Sequence, residues 1–171
     1  MRRYFRSALL LALLCCGIFS CHYSNEYQTV NADNKFTISV PGWMKKTDDL
    51  KPGAPFQYSN RFRNFYAIGT ADDKVKFNKP AAAVINENLD ILRKAMANPV
   101  LTDSTGVEIG GLKGIRAEIY GKMNGENIYF SEVVLEGSTQ IYHLSIWTRS
   151  EDRKLRFKED INRILSSFKP I

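Results

Sequence analysis

Cys15, Cys16 and Cys21 fall within seven residues, and no cysteine occurs after them. So tight a group can form a disulfide, hold a metal or mark a processing site. A zinc site is short of donors, because His22 and His143 are the only histidines. Further along, Glu132, His143 and Ser145 form a second set with chemical potential. A glutamate beside a histidine tunes a general base, and a serine is a candidate nucleophile. The ordinary alternative is a cross-strand polar pair with no chemistry. Which reading holds depends on the elements that position these residues.

The context of the cysteines decides the first question. The chain opens MRRYFRSALLLALLCCGIFSC: arginines, an apolar run from Ala8 to Phe19, then Ser20 and Cys21. That is the layout of a secretory signal. The run is shorter than the ~20 residues that a spanning helix needs. The tetrad Ile18-Phe19-Ser20-Cys21 resembles the lipobox of bacterial lipoproteins, with Phe19 bulkier than the commonest residue there. The resemblance implies cleavage after Ser20 and lipidation of Cys21, with Cys15 and Cys16 discarded. Cys16 is the competing site and fits less well after Leu14-Cys15. The alternative is an ordinary secreted chain with a free Cys21. Acyl chains contribute about 0.8 kcal/mol per buried methylene, so two or three would hold the protein on a membrane. His22 follows the cysteine where some bacteria place an acidic inner-membrane signal, which favours the outer membrane facing the periplasm.

Composition allows one ordinary domain: 171 residues, 44% hydrophobic and 25% charged. Half of the formal charge of +6 comes from Arg2, Arg3 and Arg6. The remainder is no basic stripe, so nucleic acid is not an expected partner.

The expected organisation is a signal at 1–20, a polar tether at 21–34 and one domain at 35–171. Extended, the tether reaches at most about 45 Å. Phe36, Ile38 and Val40 alternate with Thr37 and Ser39, a half-buried strand that ends at Pro41-Gly42. Ala54 to Tyr58 and Asn64 to Thr70 read as strands, with a short extra one near Trp43. From Pro80, Ile85, Leu89, Leu92 and Met96 form one helical stripe, stopped at Asn98-Pro99. Val100 to Thr148 is β-rich, with turns at Gly110-Gly111, Asn124-Gly125 and Gly137-Ser138. A last helix, capped by Ser150, carries Phe157, Ile161, Ile164, Leu165 and Phe168. The order is β-β-β-α-β-β-β-β-α, an α+β fold with a mostly antiparallel sheet and helices packed on its faces.

The stretches FTISVPGWMKK, NFYAIGTADDK, AMANP and IYHLSIWT…INRILSSFKP resemble the PsbP-like sandwich. That group includes DcrB-like bacterial lipoproteins, photosystem PsbP proteins and a Ran-binding import factor. The resemblance implies helices on both faces of an antiparallel sheet. It implies no catalytic residues, and members differ widely in role.

Turn chemistry fixes hairpin register. A turn at Asn124-Gly125 sets Glu132 opposite Ala117, and one at Gly137-Ser138 sets it opposite His143. Ser145 then lies nearby on the same face. Both faces of this sheet are largely apolar, so both are expected to be covered. Elsewhere, the loop Ser59-Asn60-Arg61-Phe62-Arg63 presents Phe62 between two arginines. Such a tip can touch a partner or the lipid interface. The alternative is that Phe62 folds back onto the domain. The acidic doublets Asp48-Asp49 and Asp72-Asp73 lack EF-hand spacing and read as solvated turns. GIRAEIYGK fails as a phosphate loop, because six residues separate its glycines and Met123 replaces the needed hydroxyl.

No metal or cofactor is expected. The leading reading is a membrane-anchored, non-enzymatic envelope lipoprotein that binds a protein or small ligand. One rival is a hydrolase using Glu132, His143 and Ser145. The other is a purely structural role in envelope maintenance.

Overall fold

The computed structural model describes residues 26–149 and 151–171. The signal, Cys21 and the Ser150 cap lie outside the described residues. The strands are β1 (Tyr27–Ala32), β2 (Phe36–Pro41), β3 (Lys45–Lys46), β4 (Phe56–Asn60) and β5 (Phe65–Asp73). After two helices, α1 (Lys74–Phe77) and α2 (Ala81–Ala95), come β6 (Ala97–Ile109), β7 (Leu112–Met123), β8 (Glu126–Glu136) and β9 (Gln140–Arg149). Helix α3 (Glu151–Ser166) and the two-residue β10 (Lys169–Pro170) close the chain.

Seven strands form one antiparallel sheet in the order β3-β4-β5-β9-β8-β7-β6. Three more form a small antiparallel sheet, β1-β2-β10. The expected fold class and sheet type hold. The turns explain much of the register. Asn124 and Gly125 both have positive φ, as do Gly110 and Gly111, the conformation of tight two-residue hairpins.

Each face of the large sheet is covered. Val84, Ile85 and Leu89 of α2 pack with Ala117, Ile119, Phe130 and Val134. On the opposite face, Phe157, Ile161 and Ile164 of α3 join Tyr129, Val133, Leu144 and Ile146, together with Phe36, Ile38 and Val40 of β2. Each apolar stripe thus finds an apolar sheet face, which is what drives the layers together.

Two expectations are corrected. Residues 27–32, assigned to the tether, form β1 along the edge of β2, from Tyr27↔Pro41 to Ala32↔Phe36. The first strand of the domain is therefore Tyr27–Ala32, upstream of the expected boundary at residue 35. This edge strand buries only Ala32 fully, so its sequence shows little alternation. Helix α2 also ends at Ala95, before Asn98-Pro99. Those two residues instead sit in an irregularity of edge strand β6, where Asn98 has positive φ and proline is tolerated.

Candidate functional site

Glu132, His143 and Ser145 do meet, with one shift in register. Strand β9 pairs so that Glu132 lies opposite Ser145, while His143 lies opposite Val134. The turn centres on Ser138-Thr139, not on Gly137-Ser138: Gly137 N–H donates to the Gln140 carbonyl at 2.9 Å. Lys74 N–H grips the Thr139 carbonyl at 2.9 Å, and Lys74 Nζ pairs with Glu136 at 2.6 Å. Contacts from α1 therefore fix a turn whose local sequence is ambiguous. Moving a turn by one residue shifts the pairing by two positions, so every side chain keeps its face.

The Glu132 carboxylate is 2% exposed and accepts from two groups. His143 Nε2 lies 2.5 Å from its Oε2, and the Ser145 hydroxyl donates to Oε1. Asn88 of α2 lies over this cluster, with Nδ2 3.3–3.4 Å from both ring nitrogens of His143. The wiring is not that of a nucleophile relay. Ser145 spends its proton on the carboxylate rather than approaching the imidazole, and a base must reach its nucleophile. Ser145 is itself only 5% exposed. The cluster satisfies two buried polar groups, Glu132 and Ser145, and a partly buried imidazole beneath a helix.

The Arg61–Arg63 tip is different. Asn60 pairs with Phe65, leaving a four-residue loop between β4 and β5. Asn60 holds it from below, accepting from Arg63 N–H at 2.9 Å and donating to the Trp43 carbonyl at 2.7 Å. Arg63 lies over the Trp43 ring at 4.6 Å, and Arg153 of α3 donates to the Arg63 carbonyl at 2.6 Å. Arg61 pairs with Asp49. The Thr47 hydroxyl, with help from Arg61, holds the Asp49 carboxyl below the usual carboxylate range. Phe62 is 99% exposed, so it does not fold back onto the domain. The loop is fixed and its aromatic tip is presented to solvent.

A further polar cluster, under α3, escaped the sequence reading. Glu118 of β7 accepts from Arg116 Nη2 at 2.9 Å and Lys154 Nζ at 3.0 Å, and it also bonds the Tyr129 hydroxyl. Arg116 Nη1 donates to Asn162 at 2.9 Å. Burial raises the Glu118 carboxyl, but Lys154, Tyr129 and Arg116 outweigh it and hold the group below the usual carboxylate range. Burial, with Glu118 beside it, pushes the Tyr129 phenol up. A depressed carboxylate contributes stability that is present above its unfolded value and lost as pH falls through its folded one. Glu118→Gln should therefore lower the urea midpoint at pH 7. The gap to wild type should close below about pH 4. A gap that stays constant from pH 7 to pH 3 would show that the charge contributes nothing.

Among the described residues no group of acidic, histidine or cysteine side chains is placed to hold a metal ion. Among them also, no helix is long and apolar enough to cross a membrane.

This architecture is that of the PsbP- and Mog1-like α+β sandwiches. Cyanobacterial PsbP (CyanoP) from Synechocystis matches it with a TM-score of 0.59 at 13% identity, over 86% of this chain and 94% of that one. LpqN, described as involved in cell envelope biogenesis of Mycobacterium tuberculosis, matches at 0.58 and 12%, over 84% and 90%. The Saccharomyces cerevisiae Ran-binding protein Mog1p matches at 0.60 and 11%, over 86% and 96%. At these identities the likeness is one of fold. No family model and no curated protein matches the chain.

Proposed function

We propose that this protein is a non-enzymatic accessory module of the bacterial envelope, lipid-anchored at Cys21, which binds its partner through the Arg61–Phe62–Arg63 tip. The observation that carries the reading is the full exposure of Phe62 on a loop held rigid from beneath. An exposed aromatic flanked by arginines has the composition of an interface anchor. The tip also lies beside the point where an anchor would join the domain. Gly42 N–H bonds the Glu26 carbonyl at 2.7 Å, and the next residue, Trp43, carries Arg63. With the first strand starting at Tyr27, the span back to Cys21 is at most about 20 Å. Such a module works against the membrane surface. The envelope role described for LpqN and the Ran binding of Mog1p are in keeping with a binding module on this fold. The buried wiring of Glu132, His143 and Ser145 favours it over hydrolysis.

The test uses full-length protein made in a bacterial host, with a photo-crosslinker at position 62 in place of Phe62. Intact mass should match residues 21–171 plus acyl groups, and Cys21→Ser should abolish the acylation. Irradiated membranes should give a discrete crosslinked protein, reduced roughly tenfold by Arg61→Glu with Arg63→Glu. An unacylated chain refutes the anchor. No product at position 62, or one indifferent to both reversals, refutes the tip.

A further inference from the structure

Between α3 and the β6–β7 edge lies a cavity of about 470 Å³, on the sheet face opposite Glu132. Its walls are of two kinds. Arg116, Glu118, Tyr129 and Lys154 form the fixed network described above, and Lys158 stands one turn beyond Lys154 on the same helix. Val107, Leu155 and Ile161 supply the apolar part.

The charges do not balance inside this cavity. Three cations line it against one carboxylate, and Glu118 already accepts from Arg116, Lys154 and Tyr129. Lys158 has no ion-pair partner among the described residues. Arg116 Nε is buried without a hydrogen-bond acceptor, which an otherwise satisfied network has reason to avoid. Leu155 is 71% exposed at the rim, an apolar side chain left in water beside a cationic wall. The arrangement has spare donors and positive charge at one side and apolar surface at the other. Its volume is that of small-ligand sites.

We infer that this cavity binds a small amphiphilic oxyanion, a phosphate or carboxylate head on an aliphatic tail. The head lies against Arg116 and Lys158, where guanidinium and ammonium groups meet an anion directly. The tail runs along Val107, Ile161 and Leu155. Glu118 positions the cations rather than touching the ligand. The assignment does not depend on the anchor at Cys21 or on the Phe62 tip.

Octyl phosphate below its micellar concentration is the first ligand to titrate into the purified full chain carrying Cys21→Ser. Inorganic phosphate and octyl glucoside run beside it. Heat of binding gives stoichiometry, and the methyl resonances of Leu155 and Ile161 give location. Octyl phosphate should bind once per chain, moving both sets of methyls. Inorganic phosphate should bind roughly tenfold or more weakly, and so should octyl glucoside. Lys158→Glu, an exposed change that leaves the network intact, should weaken octyl phosphate roughly tenfold, as should Arg116→Gln. Equal binding of inorganic phosphate refutes the apolar half of the site, and equal binding of octyl glucoside refutes the anionic half. Absence of saturable binding, or binding indifferent to Lys158→Glu, overturns the assignment outright.

Discussion

His143→Leu should destabilise the domain by about 2–4 kcal/mol, measured as a fall in the urea midpoint at unchanged slope. The reason lies in what remains behind. Glu132 is almost fully buried, and the imidazole is one of its two hydrogen-bond partners. Leucine fills similar space but leaves a carboxylate oxygen unpaired beneath α2. The informative comparison is the triple change Glu132→Leu, His143→Leu and Ser145→Ala. It removes every member of the cluster and leaves an apolar patch beside Val134 and Phe130. Asn88 is only half-buried and can turn its amide to water. The triple variant should recover at least half of the loss, because a whole polar cluster is cheaper to delete than to break. A triple variant less stable than His143→Leu would contradict this account.

The same cluster shows what the sequence makes legible. Strand periodicity and hairpin parity are local properties, so the shared face of Glu132, His143 and Ser145 could be read from the chain. So could the stripes of α2 and α3. Register within that face is not local. It rests on Lys74 gripping Thr139, a contact between segments far apart in sequence. Strand β1 was hidden for a related reason: an edge strand that buries one residue fully carries almost no alternation. Tyr27 is fixed instead by distant groups, donating to Asp160 at 2.5 Å beneath the guanidinium of Arg163. The cavity under α3 did leave a trace. Arg116 and Glu118 alternate with Ala117 and Ile119, which puts two charges on the face shared with Tyr129 and Val133. Charges on a face that must be covered signal a network there. The exposure of Phe62 left no such trace, since burial of a loop aromatic is decided by what lies under the loop.

Phe36→Ala should cost about 3–5 kcal/mol, the largest loss expected from a single core truncation here. Phe36 is 0% exposed and joins three layers at once. Its ring lies 6.3 Å from Phe56 of β4, 6.0 Å from Tyr142 of β9 and 5.3 Å from Phe168 just past α3. It also fills the space above Gly69 of β5, where an added Cβ would come within 2.9 Å of the ring. That contact makes the prediction specific to packing between these two residues. Gly69→Ala in the wild-type background pushes against Phe36, Leu144 and Phe56, and should cost about 1–3 kcal/mol. In the Phe36→Ala background the new methyl enters vacated volume, so its cost should fall below about 1 kcal/mol. If Phe36→Ala proves too unstable to measure, Phe36→Leu should show the same coupling at smaller amplitude. Equal costs for Gly69→Ala in both backgrounds would mean that the sheets relax freely around this residue. Unequal costs in the expected direction would locate at Phe36 the contact that clamps β2 onto the large sheet. That clamp also holds the Ala32 end of β1, which pairs with Phe36.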